Sequence, residues 1–210
     1  MSAPAGAPPR TLVVACGALA REMLAVVELN GWTHVDVVCL PASLHNTPAR
    51  IPDAVTARIA SAREGYARVL CLYGDCGTGG ALDKALAAMG VERIAGDHCY
   101  AFYAGLETFA ALHDAEPGTF YLTDYLVRHF ETLVVRGLGL DRHPELLPDY
   151  FGNYRRVVYL AQVPDPELDA RAAAAAARLG LDFEVRRTGL GGIARFVAGK
   201  TLGEGAAWRN

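Results

Sequence analysis

Short apolar runs alternate with amphipathic stretches along this chain. The spacing of the apolar residues differs between the two and distinguishes predicted strands from predicted helices. A short apolar run bounded by glycine or polar residues is typical of a parallel strand, because such a strand is covered on both faces. Apolar residues three or four positions apart, followed by a glycine, are typical of a helix and its C-terminal cap. The predicted strands are Thr11–Ala15, Val35–Leu40, Arg68–Leu72, Val91–Ala95, Thr119–Thr123, Arg156–Ala161 and Phe183–Arg186.

The stretches between these strands carry the helical pattern. The order strand, helix, strand predicts right-handed βαβ units and therefore an α/β fold. A single domain over 11–200 is expected, with a doubly wound, mostly parallel sheet that could divide into two Rossmann-like halves, 11–115 and 116–200. The segment 1–10 is expected to be a disordered tail, and 201–210 a second tail. The run 193–197 fits a strand or a helix, and a short helix is expected after Pro144. The predicted helices are Ala18–Asn30, Asp53–Glu64, Ala81–Met89, Tyr125–Val135 and Asp165–Leu179.

Composition narrows the class of protein. The chain has 210 residues, 52% of them hydrophobic, and a net charge of −3. Since it has no basic stripe and no apolar run of roughly 20 residues, neither nucleic acid nor a membrane is an expected partner. The segment 1–10 lacks the long apolar region of a signal peptide, so the expected location is the cytoplasm, where thiols stay reduced.

Three of the five cysteines follow predicted strands, and this placement is the strongest chemical signal in the sequence. Cys16 follows the first strand, Cys76 the third and Cys99 the fourth. Because parallel strands point the same way, these residues are expected at one edge of the sheet, where open α/β sheets bind ligands. Cys39 and Cys71 lie inside strand runs and are expected in the core. An odd number of cysteines at this spacing indicates no disulfide framework.

Three thiols on one edge suit a soft metal centre, namely zinc or an iron–sulfur cluster with one position open to a substrate. The helices that follow Cys16 and Cys76 are expected to lower the thiol pKa through their N-terminal dipoles. Packing of the cysteines under turns, without any ligand, stays an alternative. Glycines beside the thiols would let a substrate approach the backbone closely, and they are Gly17, Gly77, Gly79 and Gly80.

Polar residues near the cysteines supply candidate acid–base groups. His98 and Asp75 are the predicted catalytic residues, with His98 as acid or base and Asp75 orienting a neighbour. Asp75 could equally form a turn, as could Asp97. His45 and His98 are both open as a fourth metal ligand. Further candidate substrate contacts, which could instead be solvated loop residues, are Tyr100, Asp124, Arg142, His143 and Asn153.

The glycine-rich segments give little support for other chemistry. Neither 73–80 nor 188–192 matches a P-loop or a dinucleotide-binding fingerprint, so a phosphate cradle is only weakly indicated. No G-x-S-x-G elbow and no H-E-x-x-H motif is present, which removes support for a serine hydrolase or a zinc protease of that type.

Six motifs in one order resemble a bacterial and archaeal family, the domain of unknown function numbered 1638. The resemblance supplies no activity of its own. It implies a possible accessory role near corrinoid-dependent methyl transfer, as in methylamine or betaine use, with a corrinoid methyltransferase system as partner. The motifs are ACGALARE (15–22), YGDCGTGG (73–80), HCYAFYAG (98–105), EPGTFYLTD (116–124), LGLDRHPEL (138–146) and YFGNYRRVVYLAQ (150–162).

Three functions are therefore open. The first is a three-cysteine metalloprotein, an enzyme or accessory factor in corrinoid-linked methyl or one-carbon metabolism. The second is a metal-independent enzyme with Cys76 or Cys99 as nucleophile and His98 as base. The third is a non-catalytic module that binds a small molecule or a partner, and a homodimer is an open possibility in each case.

Overall fold

The structure is a computed structural model that describes residues 8–203 and 207–209. Parts of the predicted tails, 1–7, 204–206 and 210, lie outside the described residues. The strands and helices alternate as expected, so the α/β class is confirmed. The strands are β1 Thr11–Cys16, β2 Val35–Leu40, β3 Arg68–Leu72, β4 Glu92–Arg93, β5 Thr119–Thr123, β6 Arg156–Ala161 and β7 Asp182–Arg187.

The helices follow the predicted pattern with several shifts at their ends. Single 3-10 turns lie at Gly17–Leu19, Ala42–Asn46, Pro48–Arg50 and Pro144–Leu146, and a π-helical turn covers Glu131–Arg136. The α-helices are α1 Ala20–Asn30, α2 Ile51–Ala62, α3 Ala81–Met89, α4 Tyr100–Ala104, α5 Leu106–Ala115, α6 Asp124–Arg128, α7 Leu147–Phe151, α8 Pro166–Leu179 and α9 Gly191–Thr201.

All strand pairs are parallel, but they form two sheets and not one continuous sheet. The first sheet has the order β2-β1-β3-β4 and the second the order β5-β6-β7. The chain divides into two compact units, one within Met1–Phe102 and Gly191–Asn210 and the other Tyr103–Leu190. The division into halves 11–115 and 116–200 stays a prediction. The boundary between the two compact units lies after Phe102, and α9 belongs to the first unit.

The first sheet has a reversal of strand order at β1. The chain passes from β1 to β2 on one side, then crosses back to β3 on the other. With right-handed crossovers, this reversal places α1 on one face and α2 and α3 on the opposite face. The contacts agree, because α2 packs on α3 and α1 packs on α9.

Every residue of β1 is buried, which fits a central strand covered on both faces. The edge strand β2 is more exposed, and this explains one wrong prediction. Cys71 in β3 is buried as expected, but Cys39 in β2 is exposed. An apolar run predicts a covered strand, but β2 lies at the edge of the first sheet and is less covered than β1.

The second unit has its own core, built on β6. Val157 and Tyr159 are fully buried there, together with Leu122 from β5 and Ala172 from α8. The alanine-rich α8 starts with Asp165 as its N-cap, whose carboxylate accepts hydrogen bonds from the Glu167 and Leu168 amides. Among the residues that the structure describes, no helix has the length and apolarity needed to cross a bilayer.

Candidate functional site

The carboxyl ends of β1 and β3 border the point where the strand order of the first sheet reverses. In open α/β sheets this switch point is where the crossing connections diverge and leave a crevice for a ligand. Cys16 is the last residue of β1, and Cys76 lies in the loop after β3. Two of the three candidate ligands therefore flank the position where the fold favours a binding site.

The turn after β1 fixes the thiol of Cys16. Its sulfur accepts a hydrogen bond from the Ala18 amide at 3.4 Å, so the side chain caps the following 3-10 turn. Gly17 lies against the end of β2, since a Cβ at this position would be 2.8 Å from the carbonyl oxygen of Leu40. Gly17 therefore allows the segments that follow β1 and β2 to pack closely.

The loop after β3 is held by Asp75. Its carboxylate accepts hydrogen bonds from the Thr78 hydroxyl at 2.6 Å and from the amides of Gly79 at 3.0 Å and Gly80 at 2.8 Å. These bonds keep the pKa of Asp75 below its ordinary value. Inside this loop Cys76 has a positive φ of 52°, a conformation rare outside glycine and more frequent at functional sites.

The loops that follow β3 and β4 run beside each other. The Asp75 amide donates to the Gly96 carbonyl at 3.2 Å, and the Cys76 amide donates to the Asp97 carbonyl at 2.9 Å. Gly74 permits this approach, because a Cβ there would be 2.8 Å from the Asp97 carbonyl oxygen. These backbone contacts bring the segment that carries Cys99 alongside Cys76.

The three thiols are close enough to affect one another's ionisation. Burial and, to a smaller extent, a thiolate at Cys76 raise the pKa of Cys16 to about 11. Burial likewise raises the pKa of Cys99, with added repulsion from Cys76 and Cys16. Burial also raises the pKa of Cys76. The three residues predicted from three separate loops therefore share one electrostatic site.

The direction of these shifts corrects the expectation that helix dipoles lower the thiol pKa. The turn after Cys16 does contribute a lowering hydrogen bond from Ala18, but burial of the sulfur is the larger effect. After Cys76 the next helix begins only at Ala81, beyond the Asp75-bonded loop. Without a cation the thiols are thus held as neutral SH groups at neutral pH.

His45 is the histidine nearest to a site thiol. Its Nδ1 lies 3.7 Å from the Cys16 sulfur and 3.2 Å from the Ala42 carbonyl oxygen. A proton on Nδ1 would serve both contacts and leave the lone pair on Nε2. The residue is exposed as a whole, yet desolvation of its ring lowers the pKa of His45, and His98 lowers it further.

Two residues at this site were missed by the sequence reasoning. Tyr73, directly after β3, is fully buried, its ring stacks on His45 at 6.4 Å between centroids, and its hydroxyl has no hydrogen-bond partner among the described residues. Burial and the neighbouring Cys16 raise the pKa of Tyr73. Glu22 is buried on α1 and raises the pKa of Cys99. A glutamate on the buried stripe of an amphipathic helix was the available signal.

The predicted catalytic pair is not brought together by any described contact. His98 is exposed and its ring lies 6.1 Å from that of half-buried Tyr100, while Asp75 is engaged by its own loop. Gly77, Gly79 and Gly80 all have positive φ. Within residues 8–203 and 207–209, no group of three or more His, Cys, Asp or Glu side chains is already arranged to hold a metal ion.

The remaining candidate substrate contacts belong to the second unit. Asp124 is buried and accepts hydrogen bonds from the Tyr159 hydroxyl at 2.7 Å and the Gln162 amide at 3.0 Å, so it joins β5 to β6. Arg142, His143 and Asn153 are exposed. Arg142 approaches Asp141 at 3.9 Å, and His143 contacts Glu145 at 3.2 Å. Their substrate role stays a prediction.

The fold and the site define an α/β protein with a thiol-lined switch point in its first sheet. A family model described as "Protein of unknown function (DUF1638)" matches residues 39–197. The chain belongs to this family, which confirms the resemblance. Cys76 and Cys99 lie within the matched stretch, and Cys16 precedes it. Neither a curated protein nor a solved structure matches the chain.

Proposed function

We propose that the first unit holds a soft metal centre, zinc or an iron–sulfur cluster, through Cys16, Cys76 and Cys99. The observation that carries this proposal is the meeting of three cysteines from separate loops near one switch point, where a thiolate at Cys76 raises the pKa of both Cys16 and Cys99. Buried thiolates repel one another, so ionising all three together is costly unless a cation offsets their charge. Thiolate sulfur is the ligand that zinc and iron–sulfur clusters prefer.

Other groups at the site fit such a centre. The buried carboxylate of Glu22 adds negative charge beside Cys99, which a cation would also offset. Nδ1 of His45 is placed to donate to a thiolate at Cys16, the kind of outer hydrogen bond that orients a ligand. The buried Tyr73 hydroxyl is available as a donor to a bound substrate. Metal binding would require rotation of the cysteine side chains towards a common centre.

The wider role follows from the family resemblance alone. A three-thiolate centre with an open position suits activation of a substrate in one-carbon metabolism, as an enzyme or as an accessory factor to a corrinoid methyltransferase. A reducing compartment such as the cytoplasm would keep all five cysteines free, as they are in the structure.

Anaerobic purification followed by elemental analysis and a visible spectrum tests the proposal. We expect either about one zinc per chain or several irons with absorption typical of a cluster. Each of Cys16→Ser, Cys76→Ser and Cys99→Ser should lose the metal. The matched control is Cys39→Ser, which removes an exposed thiol of the edge strand β2 and should retain the metal. A folded wild-type protein that takes up neither metal under reducing conditions would refute the proposal.

A metal-independent thiol enzyme is the second candidate, and the contact between Cys16 and His45 favours it. At 3.7 Å the imidazole could exchange a proton with the thiol. The elevated pKa of Cys16, however, leaves little thiolate at pH 7. Stoichiometric iodoacetamide labelling of the metal-free protein at pH 7, lost in Cys16→Ser, would support this candidate. Absence of labelling would eliminate it.

A further inference from the structure

The second unit contains a cavity of about 470 Å³ at the carboxyl ends of its strands. Leu160 from β6 and Arg186 and Arg187 from β7 form one side of this cavity, and α5 forms another. A volume in this range is typical of pockets that bind small organic molecules. The carboxyl edge of a parallel sheet is also where α/β units bind their ligands.

The walls of the cavity combine an apolar surface with a few polar groups. Ala111, Leu112 and Leu160 supply apolar contacts. Thr108 and Thr188 add hydroxyl groups, and Arg186 lies on the same face of the sheet as its neighbour Leu160. A pocket of this composition fits a ligand with a small apolar body and a polar or charged end.

The charge around the cavity is positive. Arg156 and Arg186 both pair with Glu184, so two guanidinium groups share one carboxylate. Arg156 also donates to the carbonyl oxygen of Leu112, which places it beside the cavity wall. Two arginines on this face of the sheet are thus balanced by one carboxylate, which leaves an uncompensated positive charge for an anionic ligand.

Arg187 points to the opposite face of β7. Its Nη1 donates to Oδ1 of Asp169 on α8 at 2.8 Å, and its Nη2 donates to the other carboxylate oxygen. Successive strand residues alternate between the two faces of a sheet, so Arg186 is the arginine of β7 whose side chain lies on the face covered by α5. A guanidinium has five N–H donors, so Arg186 keeps others for a ligand while it pairs with Glu184.

From these observations we propose that the second unit binds a small organic anion with an apolar body, a carboxylate or a phosphate ester. The charged end lies against Arg186, and the apolar body against Leu112 and Leu160. This site is separate from the cysteine site and does not depend on the metal proposal. Arginine recognises both classes of anion with the same paired geometry, so the experiment must separate them.

Binding to the full-length wild-type protein can be measured by NMR titration with four probes. Benzoate and phenyl phosphate carry the two kinds of anion on an apolar ring, benzamide is the neutral analogue, and inorganic phosphate lacks the apolar body. We expect one of the two ring anions to bind at least about tenfold more tightly than benzamide and inorganic phosphate. The stronger of the two identifies the anion class. Equal binding of charged and neutral probes, or binding of none, would overturn the proposal.

Variants locate the site. Arg186→Ala should weaken binding of the anion by about tenfold or more, whereas Arg187→Ala, on the opposite face of β7, should have little effect. Arg178→Ala is a further control, because Arg178 is also exposed and paired, with Glu131, but lies outside the cavity. Since the loss of Arg186 also removes a partner of Glu184, Ala111→Phe serves as a second variant that fills the cavity without changing charge. Unchanged binding in Ala111→Phe would overturn the proposed location.

Discussion

The left-handed backbone at Cys76 predicts that, without the thiol, this loop is more stable with glycine than with alanine at position 76. Cys76 has φ of 52°, which for a residue with a Cβ costs about 1–2 kcal/mol. Glycine avoids this cost but loses about 0.4–1 kcal/mol more conformational entropy on folding. Cys76→Gly should therefore be about 0.5–1 kcal/mol more stable than Cys76→Ala, because both lack the thiol and differ only at Cβ.

Thermal and urea unfolding of the metal-free variants measure this difference. For a chain of this length, about 1 kcal/mol corresponds to a Tm difference of about 2–4 °C. The control is Gly77→Ala, where φ is 82° and a Cβ would meet only Pro48 at an ordinary distance of 3.5 Å. That variant should lose a similar amount. If Cys76→Gly is no more stable than Cys76→Ala while Gly77→Ala is destabilised, the argument from backbone strain is refuted.

Three more predictions concern other parts of the fold. In urea unfolding, Gly192→Ala should destabilise the chain by about 1–3 kcal/mol or more, because its Cβ would lie 1.8 Å from the Phe102 carbonyl oxygen. The control is Gly199→Ala on the same helix, which has free space for a Cβ and should be neutral or stabilising. Cys16 should contribute about 2–3 kcal/mol to the stability that the metal-free protein loses between pH 9 and pH 11, because folding raises its pKa from 9.0 to about 11 and favours the protonated thiol; Cys71 and Cys99, whose pKa burial also raises, add to the loss. Asp124→Asn should cost about 2–3 kcal/mol in urea unfolding, because an amide NH₂ would face backbone N–H donors.

Each of these predictions has a result that contradicts it. Equal stability of the alanine variants at 192 and 199 would argue against the close approach of Gly192 to Phe102. For the alkaline loss, Cys16→Ser should flatten the pH dependence, and an unchanged profile would assign the loss to other groups. A stable Asp124→Asn protein with impaired ligand binding would favour the substrate role over the structural one.

Much of the architecture followed from the period of the apolar positions. The strands Val35–Leu40, Arg68–Leu72, Thr119–Thr123 and Arg156–Ala161 have the predicted bounds. Isolated apolar runs defined these strands well, since buried parallel strands leave little room for polar residues. The run 193–197 could not be decided, and it is part of α9, because helix and strand are not distinguished by a short apolar run.

The parts of the fold that the pattern did not predict have physical reasons. The helix Leu106–Ala115 has no fully buried residue, so its weak apolar stripe gave little signal. The predicted helix Tyr125–Val135 ends early at Arg128 and continues as a π-helical turn from Glu131. The separation of the strands into two sheets depends on which strands pair, and strand composition does not encode that directly.

At the candidate site, the sequence placed Cys16, Cys76 and Cys99 correctly at one edge because topology alone determines where strand ends meet. The sequence predicted a lowered thiol pKa, whereas burial raises it, since burial depends on packing and not on local sequence. It also missed Tyr73 and Glu22, whose roles depend on being buried. Arg186 and Arg187 were passed over because a pair of arginines at a strand end is as typical of a solvated surface as of a pocket.

The return of α9 to the first unit has a consequence for how the protein is made. The ribosome synthesises the first unit up to Phe102, then the whole of Tyr103–Leu190, and only afterwards the helix Gly191–Thr201 that packs on α1. At bacterial elongation rates this gap lasts on the order of ten seconds. The side of α1 that α9 covers is exposed until then, so we expect a released chain truncated after Leu190 to bind chaperones and to be cleaved by protease in the first unit, while Tyr103–Leu190 resists cleavage.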